Sequence, residues 1–535
     1  MECHCIPTAD VPHLTRLYST YIQDFPSLSR FYAHAPTVEE VRRRAAEASI
    51  DPSLRNAVTD VLRAQNREFG ADSSVESSLD RLAAGSAAIV TGQQVGLFSG
   101  PSYTIYKALT ALRLANDLTA AGTPAVAIFW LASEDHDLAE VNHSFWPTRG
   151  EPERFEIPLE GAANRRVGNV RLGDSVRDLV ERAAAMLGGP ARSEVAKALK
   201  DSYQPAETYG SAFGKLMARI FTGTGLILLD PLSPELHRLA GPVYRSALEQ
   251  HAELGRELLA RSKALELAGY HAQVKVTERN TLLFVDVEGE RVALRAREGD
   301  FVVGRRALSL AETLGLLGEA PEMFSANALL RPVVQDTLLP TAAYVAGPAE
   351  IAYFAQASVV YKQLSRPMPV ILPRASFTLV DPHVERSLRK YGLELSDIFR
   401  GKNQLRSKME RVLLPRPLAR RLEASGKSLR ELLQGLREPI EKLDPTLLGA
   451  LDTAEHKILY QFANLEGKAA RAISLRSASL DAHERELMGL LYPRGDLQER
   501  SLCFLPMLAA QGPGLLEELS RRITPGGTLH QVLYF

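Results

Sequence analysis

A strand–loop–helix–strand pattern near residue 90 limits the folds open to this chain more than any other feature. From Ser86 the sequence passes through an apolar run (AAIV), a glycine-rich loop, a helix-like stretch over residues 103–118 and, after a break, a second apolar run over 125–132. This order predicts a βαβ unit. Because such a unit makes a right-handed crossover between parallel strands, the loops after both strands should meet at one sheet edge, where α/β proteins bind ligands.

Further short apolar runs, broken by Gly or Pro, indicate more strands of the same sheet. They lie at residues 225–230, 343–345 and 369–373, and their continuous apolar character is typical of parallel strands buried on both faces. Residues 274–295 alternate instead, which predicts a small antiparallel hairpin with its turn near 288–290. The predicted fold class is therefore α/β, with a parallel-sheet core and small inserted elements.

Two regions have helical periodicity. The first eighty residues are predicted to be helices that pack on the core, with a capping box in the sequence TVEE at 37–40. After Asp381, residues 447–472 carry apolar side chains in steps of three and four, with one stutter, as in a coiled-coil seam. An earlier apolar stripe at 429–443 is predicted to begin after Ser428, with Glu431 completing a capping box and a break at 444–445. We expect an antiparallel coiled-coil hairpin; an ordinary helical domain is the alternative, because the repeat is short.

Charge, cysteine content and the N-terminal sequence restrict the partners and the compartment. The 63 basic and 64 acidic residues give a net charge of −1, so no long-range field favours nucleic acid or a membrane surface. No signal-peptide pattern starts the chain, and the longest apolar run is too short to span a bilayer. Three cysteines cannot form a disulfide framework, and Cys3, His4 and Cys5 lack a fourth ligand nearby for zinc. We therefore expect a cytoplasmic protein without zinc, nucleic-acid partner or membrane partner.

The loop after the first strand of the βαβ unit is the first candidate site. Its sequence TGQQVGLFSGP, residues 91–101, fits neither a dinucleotide-binding turn nor a P-loop. Gly92, Gly96 and Gly100 would let the backbone approach a ligand, and the following helix would present free N–H groups to an anion. The side chains of Gln93 and Gln94 can both donate and accept hydrogen bonds. The alternative is a glycine-rich connector that binds nothing.

The second strand runs into a cluster of charged residues, SEDHD at 133–137, at the same predicted edge. These groups could bind a substrate amine, orient a Mg²⁺-nucleotide or supply a general base, and His136 has the ordinary pKa best suited to proton transfer. The alternative is an acidic cap of the next helix, which needs one carboxylate, and Asp137 is the candidate for that role.

Two later segments are predicted to reach the same edge, RPVVQD at 331–336 and YVAGPAE at 344–350. Arg331 and Arg374, which we place at strand ends, are fork-shaped donors suited to carboxylate or phosphate. The alternative for each arginine is a surface or ion-pair role.

Four segments in order resemble one family: VTGQQVGLFSGPSYTIYKAL, FWLASEDHD, LLRPVVQDTLLPTAAYVAGPAEIAYFAQ and PVILPRASFTLVD. They are similar to the signature segments of the bacillithiol-biosynthesis cysteine ligases, and the similarity covers nearly the whole chain. The resemblance implies a Rossmann-like parallel-sheet core with connecting-peptide insertions and an α-helical coiled-coil domain used in dimerisation. The implied divisions are an N-terminal helical segment at 1–80, the core at 81–385 with insertions at about 150–210 and 265–325, the coiled coil at 386–480, and a C-terminal segment at 481–535 that returns to the core.

The resemblance also implies a reaction, the last step of bacillithiol synthesis, in which the cysteine carboxyl group is joined to the amine of glucosaminyl-malate. An amide-forming ligase needs an activated carboxylate, supplied by a nucleotide or by a pre-activated cysteine donor, and ATP or ADP with Mg²⁺ is the expected cofactor. The sequence contains neither a HIGH nor a KMSKS element, which argues against an adenylate mechanism. We expect a homodimer that binds cysteine and glucosaminyl-malate.

The residues carried over by the resemblance are assigned three roles. We expect His136 or Asp135 to take the proton from the attacking amine, the backbone of residues 92–100 to hold phosphate or an activated carboxyl oxygen, and Arg331 or Arg374 to bind the malate carboxylates. The expected nucleotide-binding residues are Gly100, Tyr103 and Lys107. The expected substrate-binding residues are Thr91, Gly92, Gln93, Gln94, Gly96, Ser133, Asp137, Arg331, Gln335, Asp336, Tyr344, Gly347 and Arg374.

Two other functions fit the same pattern. Doubly wound cores with glycine loops also bind nucleotide sugars, so a glycosyltransferase is one alternative. A coiled-coil scaffold whose core binds a nucleotide without catalysis is the other. Accumulation of glucosaminyl-malate on deletion supports the ligase, and its loss would favour an upstream transferase.

Overall fold

The computed structural model describes residues 2–158, 163–474 and 478–535. Residues 159–162 of the predicted insertion at about 150–210, and residues 475–477 of the predicted coiled-coil domain, lie outside this description. The strands are β1 (Glu2–Pro7), β2 (Ala87–Gln93), β3 (Ala125–Leu131), β4 (His143–Trp146), β5 (Glu153–Glu156), β6 (Ile227–Leu229), β7 (Asn280–Val287), β8 (Glu290–Arg297), β9 (Asp300–Val303), β10 (Arg306–Leu308), β11 (Phe324–Ala326), β12 (Thr341–Ala346), β13 (Val370–Pro373), β14 (Ser376–Val380) and β15 (Leu529–Tyr534).

Helices connect and cover these strands. They are α1 (Arg16–Gln23), α2 (Val38–Glu47), α3 (Pro52–Phe69), α4 (Ser73–Ala83), α5 (Tyr103–Ala120), α6 (Leu138–Val141), α7 (Ser175–Met186), α8 (Arg192–Ser202), α9 (Tyr209–Ile220), α10 (Pro234–Glu249), α11 (His251–Leu267), α12 (Leu310–Glu319), α13 (Arg331–Leu338), α14 (Pro348–Gln363), α15 (Pro382–Tyr391), α16 (Leu395–Phe399), α17 (Lys402–Val412), α18 (Arg416–Gln434), α19 (Arg437–Leu443), α20 (Leu448–Ser474), α21 (Ala478–Leu491), α22 (Gln498–Ser501), α23 (Leu505–Gln511) and α24 (Gly514–Arg522). No helix within the described ranges is both long and apolar enough to cross a membrane.

The central sheet has five parallel strands in the order β13-β12-β2-β3-β6. The predicted βαβ unit is confirmed as β2, α5 and β3, and the other three predicted apolar runs form β6, β12 and β13. Helices α5 and α14 are buried along much of their length, because each follows a strand and returns over the sheet. The loops after β2, β3, β12 and β13 therefore lie at one sheet edge.

A second, antiparallel sheet in the order β10-β9-β8-β7-β11 lies in the chain between β6 and β12. The predicted hairpin is confirmed as β7 and β8, and Glu288 and Gly289 turn the chain with positive φ values of 54° and 87°. The hairpin packs against the core through Leu283, Val285 and Leu294, which are at most 3% exposed. This packing places Arg291 of β8 next to His136 in the loop after β3.

A third sheet joins the two ends of the chain, and no local sequence pattern predicts it. Strand β1 pairs antiparallel with β15, and β15 pairs parallel with β14. Residues 1–80 are therefore not wholly helical as predicted, although α1 to α4 do lie there. The residues of β1 do not alternate regularly between buried and exposed. They form a strand because they pair with β15, more than five hundred residues away in the sequence.

The helices after β14 include an antiparallel hairpin of α18 with α20. Gly426 faces Phe462, and Arg437 pairs with Asp452 at 2.7 Å, so residue numbers rise in opposite directions along the two helices. The break at Asp444 is confirmed, since its carboxylate caps the next turn through Thr446 N at 2.9 Å. The capping box predicted at Ser428 is wrong. Helix α18 begins twelve residues earlier, where a proline lies in its first turn.

Candidate active site

A cavity of about 390 Å³ opens at the edge where β2, β3, β12 and β13 end. Its lining comes from the ends of these strands and the residues just after them, and from the helices α5, α6, α13, α14 and α22. The lining residues are Gly92, Gln93, Gln94, Tyr103, Lys107, Trp130, Ala132, Glu140, Arg331, Tyr344, Gly347, Pro348, Ala349, Glu350, Tyr353, Arg374 and Arg500.

The lining is rich in cations. It contains four basic side chains, Lys107, Arg331, Arg374 and Arg500, and two acidic ones, Glu140 and Glu350. Since Lys107 and Arg374 are only 2% and 7% exposed, the field of their charges is screened less than it would be at an open surface. The excess of positive charge suits a ligand that carries two carboxylates or a phosphate.

Lys107 contacts both the end of β2 and the first turn of α14. Its Nζ atom donates to the carbonyl of Gly92 at 2.8 Å and to Oε1 of Gln93 at 3.0 Å, and it forms a short ion pair with Glu350. Burial lowers the pKa of Lys107, and the charge of Glu350 opposes this shift. An ammonium group has three N–H donors. All three bind protein acceptors in this conformation, and none is left for a phosphate.

Residues at the end of β12 and in the turn before α14 fix the carboxylate of Glu350. Its Oε1 accepts from the hydroxyl of Tyr344 at 2.7 Å, and its Oε2 accepts from the backbone N of Gly347 at 2.7 Å. The second bond satisfies the backbone N–H of the N-cap residue at the start of α14. Because both oxygens are occupied, Glu350 acts as a fixed counter-charge to Lys107 within this wall.

Arg331 is oriented by two tyrosines. Its Nη1 donates to Gln335 at 3.1 Å and its Nη2 to the hydroxyl of Tyr353 at 2.5 Å, while the guanidinium lies 5.5 Å from the ring centre of Tyr344. Burial works to lower the pKa of Arg331, but the neighbouring tyrosines and Glu350 outweigh it and raise this pKa. The group is therefore a permanently charged donor of fixed orientation in the cavity wall.

Arg374 forms a buried ion pair with Glu499. The Nη2–Oε1 distance is 2.7 Å, and the two side chains are 6% and 1% exposed. Burial works to lower the pKa of Arg374 and to raise that of Glu499, but the partner's charge outweighs burial in each case, so the pKa of Arg374 is raised and that of Glu499 is lowered. The pair is therefore ionised at neutral pH.

The glycine-rich loop turns away from the cavity after Gln94. Gly96 and Gly100 are buried, and a Cβ atom at Gly96 would lie 2.9 Å from Cα of Gly100. Gly100 has φ +66°, which favours glycine. The two glycines therefore allow close backbone packing, and neither lines the cavity.

The start of α5 is also closed. The backbone N of Ser102 donates to the carbonyl of Leu502 at 2.8 Å, and that of Thr104 to the carbonyl of Pro101 at 3.0 Å. These two N–H groups at the start of α5 thus already have acceptors. Tyr103 does line the cavity, and its hydroxyl accepts from Gln93 Nε2 at 3.2 Å.

The side chain of Gln94 links the cavity to the SEDHD segment. Its Nε2 donates to Oδ2 of Asp135 and to Oε2 of Glu140, both at 2.7 Å. Asp137 caps α6 through the backbone N of Glu140 at 3.3 Å, which is the structural role foreseen for it. Two carboxylates, at 135 and 140, therefore flank one amide beside the cavity.

Two further members of the SEDHD segment point into the protein. Ser133 is buried and bonds to Asp230. Glu134 lies 3.3 Å from Nε2 of His237, and burial raises its pKa. Neither residue lines the cavity.

His136 is bound by Arg291 of the hairpin. The Nη1 atom of Arg291 lies 3.1 Å from Nδ1 of His136. Burial lowers the pKa of His136, and the positive charge of Arg291 lowers it further. Because a guanidinium only donates, Nδ1 must carry the lone pair, and the remaining proton of the neutral ring is on Nε2.

Gln335, Asp336 and Thr91 do not line the cavity. The prediction that Arg331 lies at a strand end is wrong, because residues 331–338 form α13. The carboxylate of Asp336 accepts from Tyr361 and, at 2.9 Å, from Gln335 Nε2. The hydroxyl of Thr91 donates to the carbonyl of Val345 at 2.8 Å and joins two strands.

The residues of the site that were not singled out from the sequence include Trp130, Glu140, Tyr353, Glu499 and Arg500. Two had a usable local signal. Glu140 lies three residues after the capping Asp137, and Tyr353 lies one turn after Glu350 on α14. The last two come from a distant segment, and nothing in their local sequence indicates contact with this sheet edge.

Among the described residues, no group of three or more His, Cys, Asp or Glu side chains could hold a metal ion.

Comparison with known proteins gives matches along the whole chain. Residues 1–375 match the family model of the bacillithiol biosynthesis BshC N-terminal Rossmann-like domain, and residues 377–535 match that of the BshC C-terminal coiled-coil domain. Relatives named "Putative cysteine ligase BshC" include one from Koribacter versatilis, 41% identical over 96% of each chain. Another, from Solibacter usitatus, is 39% identical over the full length of both chains. A third, from Salinibacter ruber, is 33% identical over 99% of this chain and 98% of its own.

Proposed function

Because the chain belongs to the BshC family of bacillithiol biosynthesis, we propose that it is the ligase that joins the carboxyl group of cysteine to the amine of glucosaminyl-malate, the last step of the pathway. The Rossmann-like core supplies the sheet edge at which the reaction takes place. The observation that carries the proposal is the cavity with four basic and two acidic side chains, since malate presents two carboxylates.

Arg331 and Arg374 are the groups that bind the malate carboxylates. Tyrosine hydroxyls hold Arg331 and Glu499 holds Arg374. In each guanidinium the described hydrogen bonds involve Nη1 and Nη2, so Nε is available to a ligand. A fixed guanidinium binds a carboxylate with less loss of conformational freedom than a mobile one.

The substrate amine lies at the other side of the cavity, near Gln94 and the carboxylates of Asp135 and Glu140. A carboxylate beside an amine can bind its protonated form and accept its proton when the amine attacks. We assign proton acceptance to Asp135. Its alternative, His136, has its one basic nitrogen occupied by Arg291. The new bond joins the substrate nitrogen to the cysteine carbonyl carbon, and the activating group leaves from that carbon.

ATP with Mg²⁺ is the proposed activating co-substrate, since a carboxylate does not acylate an amine unaided at neutral pH. The residues of the glycine-rich loop do not fit a phosphate cradle: Gly96 and Gly100 are buried, and the backbone N–H groups of Ser102 and Thr104 bind carbonyls. No step is therefore assigned to the nucleotide at this loop.

Dimerisation through the helical hairpin is the proposed assembly. Eight of the thirteen exposed large apolar side chains among the described residues lie between residues 418 and 465. Such a concentration of exposed apolar side chains on α18 to α20 and the turns between them is typical of an interaction surface. A cytoplasmic location is proposed because Cys3, Cys5 and Cys503 are free thiols.

The experiment that tests this function uses a strain in which this gene is the only copy. Deletion should abolish bacillithiol and cause glucosaminyl-malate to accumulate, as measured by mass spectrometry of thiol and sugar extracts. The wild-type gene should restore bacillithiol, and the Arg331→Gln/Arg374→Gln variant should not. Arg177→Gln, on an exposed helix face, is the matched control and should restore it. Normal bacillithiol after deletion would contradict the proposal.

A further inference from the structure

Residues 498–503, which form α22 and the two residues after it, connect the C-terminal part of the chain to the cavity. We call them the clamp segment. At its first end, Gln498 exchanges two hydrogen bonds with the backbone of Leu379 in β14: Oε1 accepts from the amide at 2.8 Å, and Nε2 donates to the carbonyl at 2.9 Å. Since Gln498 is 2% exposed, this end of the clamp segment is fixed to the third sheet.

The other end of the clamp segment is fixed to the glycine-rich loop. The carbonyl of Leu502 accepts from both the backbone N and the hydroxyl of Ser102, at 2.8 and 2.6 Å. The thiol of Cys503 donates to the carbonyl of Phe98 at 3.2 Å. With both ends bound, the residues between them have defined positions relative to the cavity.

Glu499 occupies the buried side of the clamp segment. Its Oε1 accepts from Nη2 of Arg374 at 2.7 Å and from the hydroxyl of Ser376 at 2.9 Å. Its Oε2 accepts from the backbone N of Phe377 at 2.9 Å. Three donors on three neighbouring residues of the core therefore hold this carboxylate, which in turn fixes the plane of the guanidinium.

The orientation of Arg374 depends on this carboxylate. The other described hydrogen bond of its guanidinium, from Nη1 to the carbonyl of Ala375 at 2.9 Å, is to a neutral acceptor, whereas Glu499 supplies a charged partner. The ring of Tyr103 packs against one face of the guanidinium, with its centre 5.2 Å from Cζ. This contact does not prevent the guanidinium from rotating within its own plane. The ion pair with Glu499 therefore favours this rotamer of Arg374 over rotamers that would keep only the contact with the Tyr103 ring.

We propose that Glu499 is a positioning residue that sets the specificity of the cavity for a dicarboxylate substrate, by holding Arg374 with Nε directed to the bound carboxylate. The inference rests on the proposed function. It also makes the substrate site a joint product of the two domains, because Glu499 and its cavity-lining neighbour Arg500 both come from the C-terminal domain. Arg500 is itself braced by Asp496 at 3.2 Å.

A purely structural ion pair is the competing interpretation, since buried pairs often contribute little to stability yet are costly to break. The two interpretations differ in which kinetic constant changes. Loss of positioning weakens binding of the carboxylate-bearing substrate. Loss of structure lowers the amount of active enzyme and affects both substrates alike.

The test is steady-state kinetics of Glu499→Gln on the full-length chain, with glucosaminyl-malate and cysteine varied in turn. We expect KM for glucosaminyl-malate to rise about tenfold or more, while KM for cysteine and kcat change less than about threefold. Glu484→Gln is the matched control, because Glu484 is a glutamate 1% exposed that pairs with Arg406 in the helical region. It should leave both KM values unchanged.

A double variant separates positioning from damage. Arg374→Gln should raise KM for glucosaminyl-malate at least as much as Glu499→Gln, and combining the two should add little, because the second change acts only through the first residue. If Glu499→Gln does not fold, Glu499→Asp takes its place in the test. This variant keeps the charge but has a shorter side chain, and we expect the same rise in KM for glucosaminyl-malate. Unchanged KM for glucosaminyl-malate, or equal losses for both substrates, would overturn the positioning role alone. A wild-type chain inactive on both substrates would overturn the proposed function and this inference with it.

Discussion

Arg291 donates from Nη1 to Nδ1 of His136 across 3.1 Å, and this contact links the antiparallel hairpin to the edge of the parallel sheet. Arg291 is itself fixed by the hydroxyl of Ser325 at 2.9 Å and the carbonyl of Ala326 at 2.7 Å. The guanidinium is therefore a rigid donor, and the basic nitrogen of His136 is not free to accept a proton from substrate.

The first prediction concerns the proton acceptor. His136→Gln, which can still accept from Arg291, should lower kcat less than about tenfold, whereas Asp135→Asn should lower it by about 10² to 10⁴, the usual contribution of a general base. Burial and Arg291 lower the pKa of His136, so any titration of this residue in the wild-type rate should have its midpoint below pH 6.5. Initial rates at saturating substrates from pH 6 to 9 measure both effects. A larger loss in His136→Gln than in Asp135→Asn would refute the assignment.

The second prediction concerns the glycine-rich loop. Gly96→Ala places a methyl group 2.9 Å from Cα of Gly100, so the backbone must shift. We expect the free energy of unfolding to fall by about 1–3 kcal/mol, as in other overpacked sites. Gly188→Ala, where a new Cβ would meet nothing within 4 Å, should stay within about 0.5 kcal/mol of wild type. Urea unfolding followed by circular dichroism provides the comparison, and equal stability of the two variants would mean that the loop packing is not tight.

Much of the fold could be predicted because its signals are local. The apolar runs at β2, β3, β6, β12 and β13 are short, continuous and bounded by Gly or Pro, and these properties belong to buried parallel strands. The edge that brings Gln94, Tyr344 and Arg374 together follows from strand direction alone. The family resemblance added the division into a Rossmann-like core and a coiled coil.

The rest depends on contacts between distant parts of the chain. Strand β1 exists only because β15 pairs with it, and Glu499 reaches Arg374 across 125 positions. The glycine loop has the composition of an anion-binding turn, yet Leu502 covers the helix start that would bind the anion. Arg331 was placed at a strand end because the sequence does not show that α13 begins there.

The third prediction concerns stability against acid. Burial lowers the pKa of His530 to about 4; Glu499 opposes this shift and Arg374 adds to it. An unfolded histidine has a pKa near 6.5. As pH falls from 6.5 towards 4, the unfolded chain binds a proton at this residue and the native protein does not, so stability is lost over that window.

We expect this residue to account for about 2 kcal/mol of the stability lost between pH 7 and pH 4.5. His530→Gln, which keeps hydrogen-bonding capacity towards Ser376 and Thr378, should therefore lose about that much less than wild type on acidification. Urea unfolding at the two pH values measures the difference. Identical losses in the two proteins would show that His530 is not the titrating group.

The fourth prediction concerns assembly. Leu432 and Leu465 in the helical hairpin are 65% and 57% exposed. Changing either to Glu would bury an unpaired charge in the proposed dimer interface, so we expect monomers in sedimentation velocity. Leu267→Glu, at a leucine that is 81% exposed on α11, is the matched control and should remain dimeric. Dimers in all three variants would place the interface elsewhere.

The most direct test of the central claim is reconstitution. Purified protein is incubated with glucosaminyl-malate, cysteine and Mg²⁺, with ATP, ADP or no nucleotide, and bacillithiol is sought by mass spectrometry. We expect bacillithiol with wild type in the presence of ATP, and none with Arg331→Gln/Arg374→Gln at the same substrate concentrations. Absence of bacillithiol with wild type under every nucleotide condition, from protein shown to be folded, would contradict the proposed cysteine ligase function.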